Sequence, residues 1–187
     1  MQLLTEFEIQ YLSPIHAYYP TWPGKERLLQ LYDTGRETQV VLTKGLSDGD
    51  EYLYEIYLES NDIIAPEDFS NSWQANLVYE AGRIVPQVPD FKDRLALNIY
   101  LSLQVEMEGA PEEWSLNSQD GNIGLFIGLP SATFKESTFK PLNIKLMRPE
   151  ELLFSIENDK PGRLKLAELY IQQGNPTISN LERASVV

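Results

Sequence analysis

The chain of 187 residues has no cysteine and one histidine, His16. Without thiols there are no disulfides, no thiolate metal sites and no cysteine nucleophile. A lone histidine cannot build a histidine-based metal centre. Basic residues are scarce, 15 against 28 acidic ones, for a formal charge of −13. Phosphate binding needs a basic face, so this balance argues against nucleic acid and against an anionic membrane surface. It is compatible with a basic partner protein, whose approach the field would steer. No apolar run approaches the length of a membrane span, and residues 1–8 already carry Glu6 and Glu8 in place of a basic leader, so a cytoplasmic protein is expected. With no P-loop and no G-x-G-x-x-G, no nucleotide or other cofactor is expected.

What is present suits one packed domain spanning 1–187. Apolar residues make up 42% and charged residues 23%, with ten Tyr, seven Phe and three Trp for an aromatic-rich core. Period-two alternation predicts a strand over 3–12. Residues 15–24 follow as a loop, in which Tyr18, Tyr19 and Trp22 form either a binding surface or a lid over the core. Residues 27–32 and 37–43 read as a hairpin around Asp33-Thr34-Gly35-Arg36, and 53–58 adds a third antiparallel strand. Phe69, Trp73, Leu77 and Ala81 recur at helical spacing. Their helix would be capped by Asp68, Ser70 or Asn71 and stopped near Gly82 and Pro86, with an extended connector over 85–90. The alternation of Leu95, Leu97, Ile99, Leu101 and Leu103 predicts a strand, the polar stretch 104–119 a solvated loop, and 123–129 and 142–147 two further strands. Pro149 and the glutamates after it open a helix that Asn158–Gly162 breaks. A second helix closes at Gly174, and 175–187 reads as a polar tail.

Between strands lies Gly45-Leu46-Ser47-Asp48-Gly49-Asp50, whose Gly-x-Ser-x-Gly is on its face a nucleophile elbow. An elbow needs a helix directly after the serine and a base near it. Here a tyrosine-rich strand follows, and His16 lies upstream, whereas the α/β-hydrolase order places the histidine last. Turn chemistry is the favoured reading of Ser47, with the glycines supplying positive φ and Asp48 bonding local amides. Asp48, Asp50 and Glu51 could hold a hard cation but lack the further ligands of a calcium loop. Glu106, Glu108, Glu112 and Glu113 could supply a glycosidase pair, though nothing sets their separation.

Several stretches, taken in order, resemble the bacterial suppressor-of-fused-like family. Tyr32 and the strand 38–43 run into Gly45-Leu46-Ser47-Asp48, the sharpest match. After it come Tyr54-Glu55-Ile56-Tyr57-Leu58, the helix around Ser72-Trp73, Gly124-Leu125-Phe126-Ile127-Gly128-Leu129-Pro130, and Ile144-Lys145-Leu146-Met147-Arg148-Pro149-Glu150-Glu151-Leu152. The match covers 27–172; the first 25 residues and the linker between Leu103 and Ile123 show none. The resemblance implies an α/β (α+β) sandwich, with a mixed, largely antiparallel sheet packed against helices, a helical C-terminal part and a tail from 173. It also implies binding in place of catalysis. Animal members hold a transcription factor inactive, and bacterial members look like immunity proteins of toxin systems, for which a basic nuclease toxin would be the partner. The expected role is therefore a non-enzymatic binding protein, with Tyr18, Tyr19, Trp22, Asp50 and Glu51 as candidate partner surface. The alternatives are a hydrolase using Ser47 or a carboxylate pair, and a regulatory module docking through its C-terminal helices.

Overall fold

The computed structural model describes residues 12–18, 20, 27–46, 54–97, 99–107, 112–116, 121–135, 141–174 and 176–187. Strands β2 (Leu28–Asp33) and β3 (Gln39–Lys44) form the expected hairpin. The Asp33 carboxylate accepts from the Gly35 amide at 2.7 Å, and Gly35 takes φ 69°, a value that only glycine adopts without strain. β4 (Ile56–Ser60) pairs antiparallel with β3. The predicted strand at 3–12 falls almost wholly outside the described residues.

Two expectations around this hairpin change. The segment read as a loop begins with a strand, β1 (Ser13–Tyr18), antiparallel to β2 at the sheet edge. Its register shifts between Pro14 and His16, and an edge strand with a bulge is where a proline is tolerated. The helix cap is neither Asp68 nor Ser70 nor Asn71. Those residues lie in a 3-10 turn, Pro66–Asn71, and the Ser72 hydroxyl accepts from the Ala75 amide at 3.2 Å to start α1 (Trp73–Ile84). α1 runs past Gly82, and Pro86 falls in a second 3-10 turn, Val85–Gln87, in place of the extended connector.

The predicted strand at 95–103 is split. Its first residues close a short helix, α2 (Phe91–Ala96), and Leu97 is 71% exposed. β5 (Leu101–Glu106) keeps the predicted phase, with Leu101 and Val105 buried and Leu103 packed on the same cluster. Leucine favours helix as readily as strand, so alternation across 95–97 carried no β-specific signal. The stretch taken as a solvated loop supplies the rest of β5 and a 3-10 turn, Glu112–Trp114, whose Trp114 is buried.

β6 (Asn122–Ile127) and β7 (Leu142–Met147) stand as predicted. Antiparallel pairing joins β5, β6 and β7. β7 runs parallel to β4 through Ile56↔Leu142 and Tyr57↔Asn143, so the strand order is β1-β2-β3-β4-β7-β6-β5. The parallel pair lies mid-sheet, and both strands are buried on both faces, so their polar residues Glu59, Ser60, Asn143 and Lys145 are buried as well. The result is an eight-stranded mixed sheet, mostly antiparallel, with a helical C-terminal part.

Alternation along the strands separates two layers. Leu31, Val41, Leu58, Leu125 and Ile144 share a core with Leu77, Val78 and Ala81 of α1. Phe126 and Met147 point the other way, against Leu152, Leu166 and Tyr170 of α3 (Pro149–Gln172). The predicted break stands: within α3 the backbone leaves helical geometry at Asp159, φ 51° and ψ −134°, just before Pro161, so two helical segments meet there at a kink. The end falls as expected, with Gly174 at φ 90°. The polar tail is part of the sheet: β8 (Ile178–Ser179) pairs parallel with Glu59 and Ser60, on the same edge of β4 that β7 occupies further back. Among the described residues no helix is long and apolar enough to cross a membrane.

Candidate functional site

Three buried glutamates organise the polar interior. The first, Glu55, sits just before β4. Its carboxylate accepts from the Thr43 hydroxyl at 2.6 Å, the Gly45 amide at 3.1 Å and the Leu46 amide at 3.3 Å. Thr43 in turn accepts from the Ile56 amide at 2.8 Å. Gly45, at φ 92°, turns the chain so that successive amides meet one carboxylate, and Leu46 is buried beneath. Of the Gly-Leu-Ser-Asp motif, Gly45 and Leu46 are thus a turn built on an anion. Ser47, Asp48, Asp50 and Glu51 lie outside the described residues.

His16 is set away from this turn. Its register partner is Leu31, which pairs with Val41 on β3, three positions before Lys44. Two strand spacings and three strand residues each amount to about 10 Å, so His16 is well beyond hydrogen-bond reach of Lys44, where the turn begins. Its ring packs edge-on to Phe69 at 6.0 Å, as does Tyr18 at 6.5 Å. Tyr18 is therefore a half-buried neighbour of the core; Tyr19 and Trp22 lie outside the described residues.

The second glutamate, Glu151, occupies the third position of α3 and is fully buried. It accepts from the Arg148 amide at 2.8 Å, the Tyr170 hydroxyl at 2.8 Å, Arg183 at 2.6 Å and the Val186 amide at 3.0 Å. Arg183 also reaches the Leu146 carbonyl at 2.7 Å, and Arg148 stacks 4.1 Å above the Trp114 ring while binding the carbonyls of Leu181 and Arg183. Burial would raise the Glu151 carboxyl, but the Arg183 guanidinium, the Arg148 amide and Tyr170 outweigh it and hold it below the usual range. Nearby Lys145 donates to the Ile178 carbonyl and lies 5.1 Å over the Tyr170 ring. Burial, then the charge of Arg183, pull its amine down to about 7. This cluster fastens the C-terminal segment to the sheet. Sequence reading passed over it because only Glu151, in Glu-Glu-Leu after Pro149, carried any signal, and that signal was for a helix start.

The third, Glu59, is 4% exposed at the end of β4. It accepts from the Thr38 hydroxyl at 2.9 Å and the Thr133 hydroxyl at 2.6 Å. Arg36 caps the group by donating to Thr133 at 2.9 Å. Together they line a cavity of about 220 Å³, with Gly174, Pro176, Thr177 and Ile178 also in its wall. A wider hollow of about 490 Å³ is lined by Phe134 and Asn143 among others. Among the described residues no hydrogen bond is made to the buried Tyr57 hydroxyl or to the buried Asn143 side-chain oxygen. Burial, only partly offset by Ser131 nearby, pushes the Tyr57 hydroxyl well above its ordinary value.

Glu106, Glu112 and Glu113 are exposed, and Glu108 lies outside the described residues. Among the described residues no group of three His, Asp or Glu is placed to hold a metal ion.

Comparison with known proteins bears on the fold. A crystal structure described as a "putative SUFU (suppressor of fused protein) homolog" from Neisseria gonorrhoeae FA 1090 superposes with a TM-score of 0.58. The match covers 100% of this chain and 93% of that one at 14% identity. No protein-family model and no curated protein matches the sequence. The resemblance read from the ordered motifs therefore holds for the fold, over the whole chain and not only 27–172.

Proposed function

We propose that this chain is a non-catalytic binding domain that captures and neutralises a basic partner protein, in the manner of an immunity protein. The observation that carries this reading is the Glu55 carboxylate under the Gly45–Leu46 turn. A serine hydrolase keeps free amides beside its nucleophile to receive an oxyanion. Here the Gly45 and Leu46 amides already serve the Glu55 carboxylate, the bonding of a structural turn. The net charge of −13 supports a basic partner, and the likeness to a SUFU homolog agrees with a binding role.

Co-expression with the product of a neighbouring toxin gene tests the proposal. Protection of the host, with a complex that weakens steeply as salt is raised, is expected. Labelling of Ser47 by a fluorophosphonate, lost in Ser47→Ala, would overturn it in favour of a hydrolase.

The outer side of α3 supports a second reading. Leu153, Ile156, Leu164 and Ile171 are all exposed on it, as expected of a module that docks through its C-terminal helix. Leu153→Lys with Leu164→Lys would abolish partner capture on this reading and leave it unchanged on the first.

A further inference from the structure

Glu59 differs from Glu151 in having no direct ion pair among the described residues. It takes two hydroxyls and no amide, and none of the ion pairs among the described residues includes it. Arg36, the cationic group in the hydrogen-bonded set, reaches Glu59 only through the Thr133 hydroxyl. A buried carboxylate without a directly paired cation is costly. This one faces an open cavity in place of packed side chains.

We propose that the Glu59 cavity is a binding site for an organic cation, a guanidinium or primary ammonium group. Thr38 takes one carboxylate oxygen and Thr133 the other, which leaves a lone pair on each. That is the pattern a guanidinium satisfies with two parallel N–H donors. At about 220 Å³ the cavity is below the ~300–1,000 Å³ of drug-sized pockets, so it suits a head group on a short alkyl stem. Thr177 and Ile178 line the same cavity. The head group can belong to a free metabolite or to a basic side chain of a partner protein; the chemistry of the site is the same. The site stands apart from the proposed function, since a free cation would bind whether or not a protein partner exists.

The test is a titration of the isotopically labelled full chain by NMR at constant ionic strength. Propylguanidinium should shift amides at 36–38, 59, 133 and 177–178, and its neutral isostere propylurea should not. Glu59→Gln should weaken binding at least about tenfold, as expected for loss of a charge-assisted pair. Arg36→Gln, at an exposed position, should tighten it about two- to threefold by removing a like charge from the rim. Binding of N-acetyl-Gly-Arg-Gly-amide as tightly as propylguanidinium identifies a protein side chain as the source; failure of the peptide alone identifies a free small cation. Equal shifts with propylurea, shifts confined to other regions, or an unchanged affinity in Glu59→Gln would each overturn the proposal. Should Glu59→Gln fail to fold, the urea comparison and Arg36→Gln still decide it.

Discussion

Glu151 and Glu59 are the same residue type, equally withdrawn from water, on the side of the sheet away from α1. Glu151 is met by a guanidinium, two backbone amides and a phenol; Glu59 is met by two hydroxyls and a cavity. Glu55 stands between them, met by two amides and a hydroxyl. The difference separates a carboxylate that holds the fold together from one that leaves room for something else. Where every lone pair is answered by a fixed donor, the charge is structural. Where lone pairs face a void, the site is incomplete by itself.

The largest expected effect follows from breaking the saturated member. Arg183→Met leaves Glu151 buried with its charge unanswered, and should cost roughly 3–5 kcal/mol in urea unfolding. Adding Glu151→Leu to it should recover much of that loss. Next, Thr43→Val removes the hydroxyl shared by Glu55 and the Ile56 amide, and should cost about 1–3 kcal/mol by the same measurement.

The pH dependence sharpens the contrast. Glu151 is held below its ordinary range, so its contribution is present above the unfolded pKa and is lost as pH falls through the folded one. Lys145 works in the opposite region. Its amine titrates near 7 when folded and at the ordinary 10.5 when unfolded, so between these values the unfolded chain binds more protons. Stability should therefore rise from about pH 7 towards 10, where the raised Tyr170 begins to act the other way. Thermal melts across that range should show the slope in the native chain and lose it in Lys145→Met. The smallest effect belongs to the open member: Glu59→Gln keeps an acceptor for the threonines and strands no cation, so its cost in the same melts should stay within about 1 kcal/mol. A loss as large as that of Arg183→Met would erase the distinction between the two sites.

Strands β2, β3, β6 and β7 were legible because burial imposes a pattern that the local sequence must carry. The stripe Phe69, Leu77, Ala81 was legible for the same reason, and Gly45 declared a turn through the positive φ it permits. The split of 95–103 was not, since leucines alternate equally well along a strand and across a helix end. β1 was hidden by its proline. The polar sites were illegible for a different reason. Glu59 finds Thr38 at a separation of 21 residues and Thr133 at 74, and Glu151 finds Arg183 at 32. A carboxylate carries no local mark of the donor it will meet.

From sequence alone came the acidity, the thiol-free chemistry, the single histidine, the sheet-forming segments and the order of motifs that resembles a known fold. These are properties of composition and of short-range pattern. Tertiary structure alone decided that the tail is a strand clamped by Arg183, that the turn at Gly45 rests on Glu55, and that Glu59 opens on a cavity. Each depends on which strands lie side by side, and parallel pairing of β4 with β7 and β8 joins segments that local pattern cannot connect.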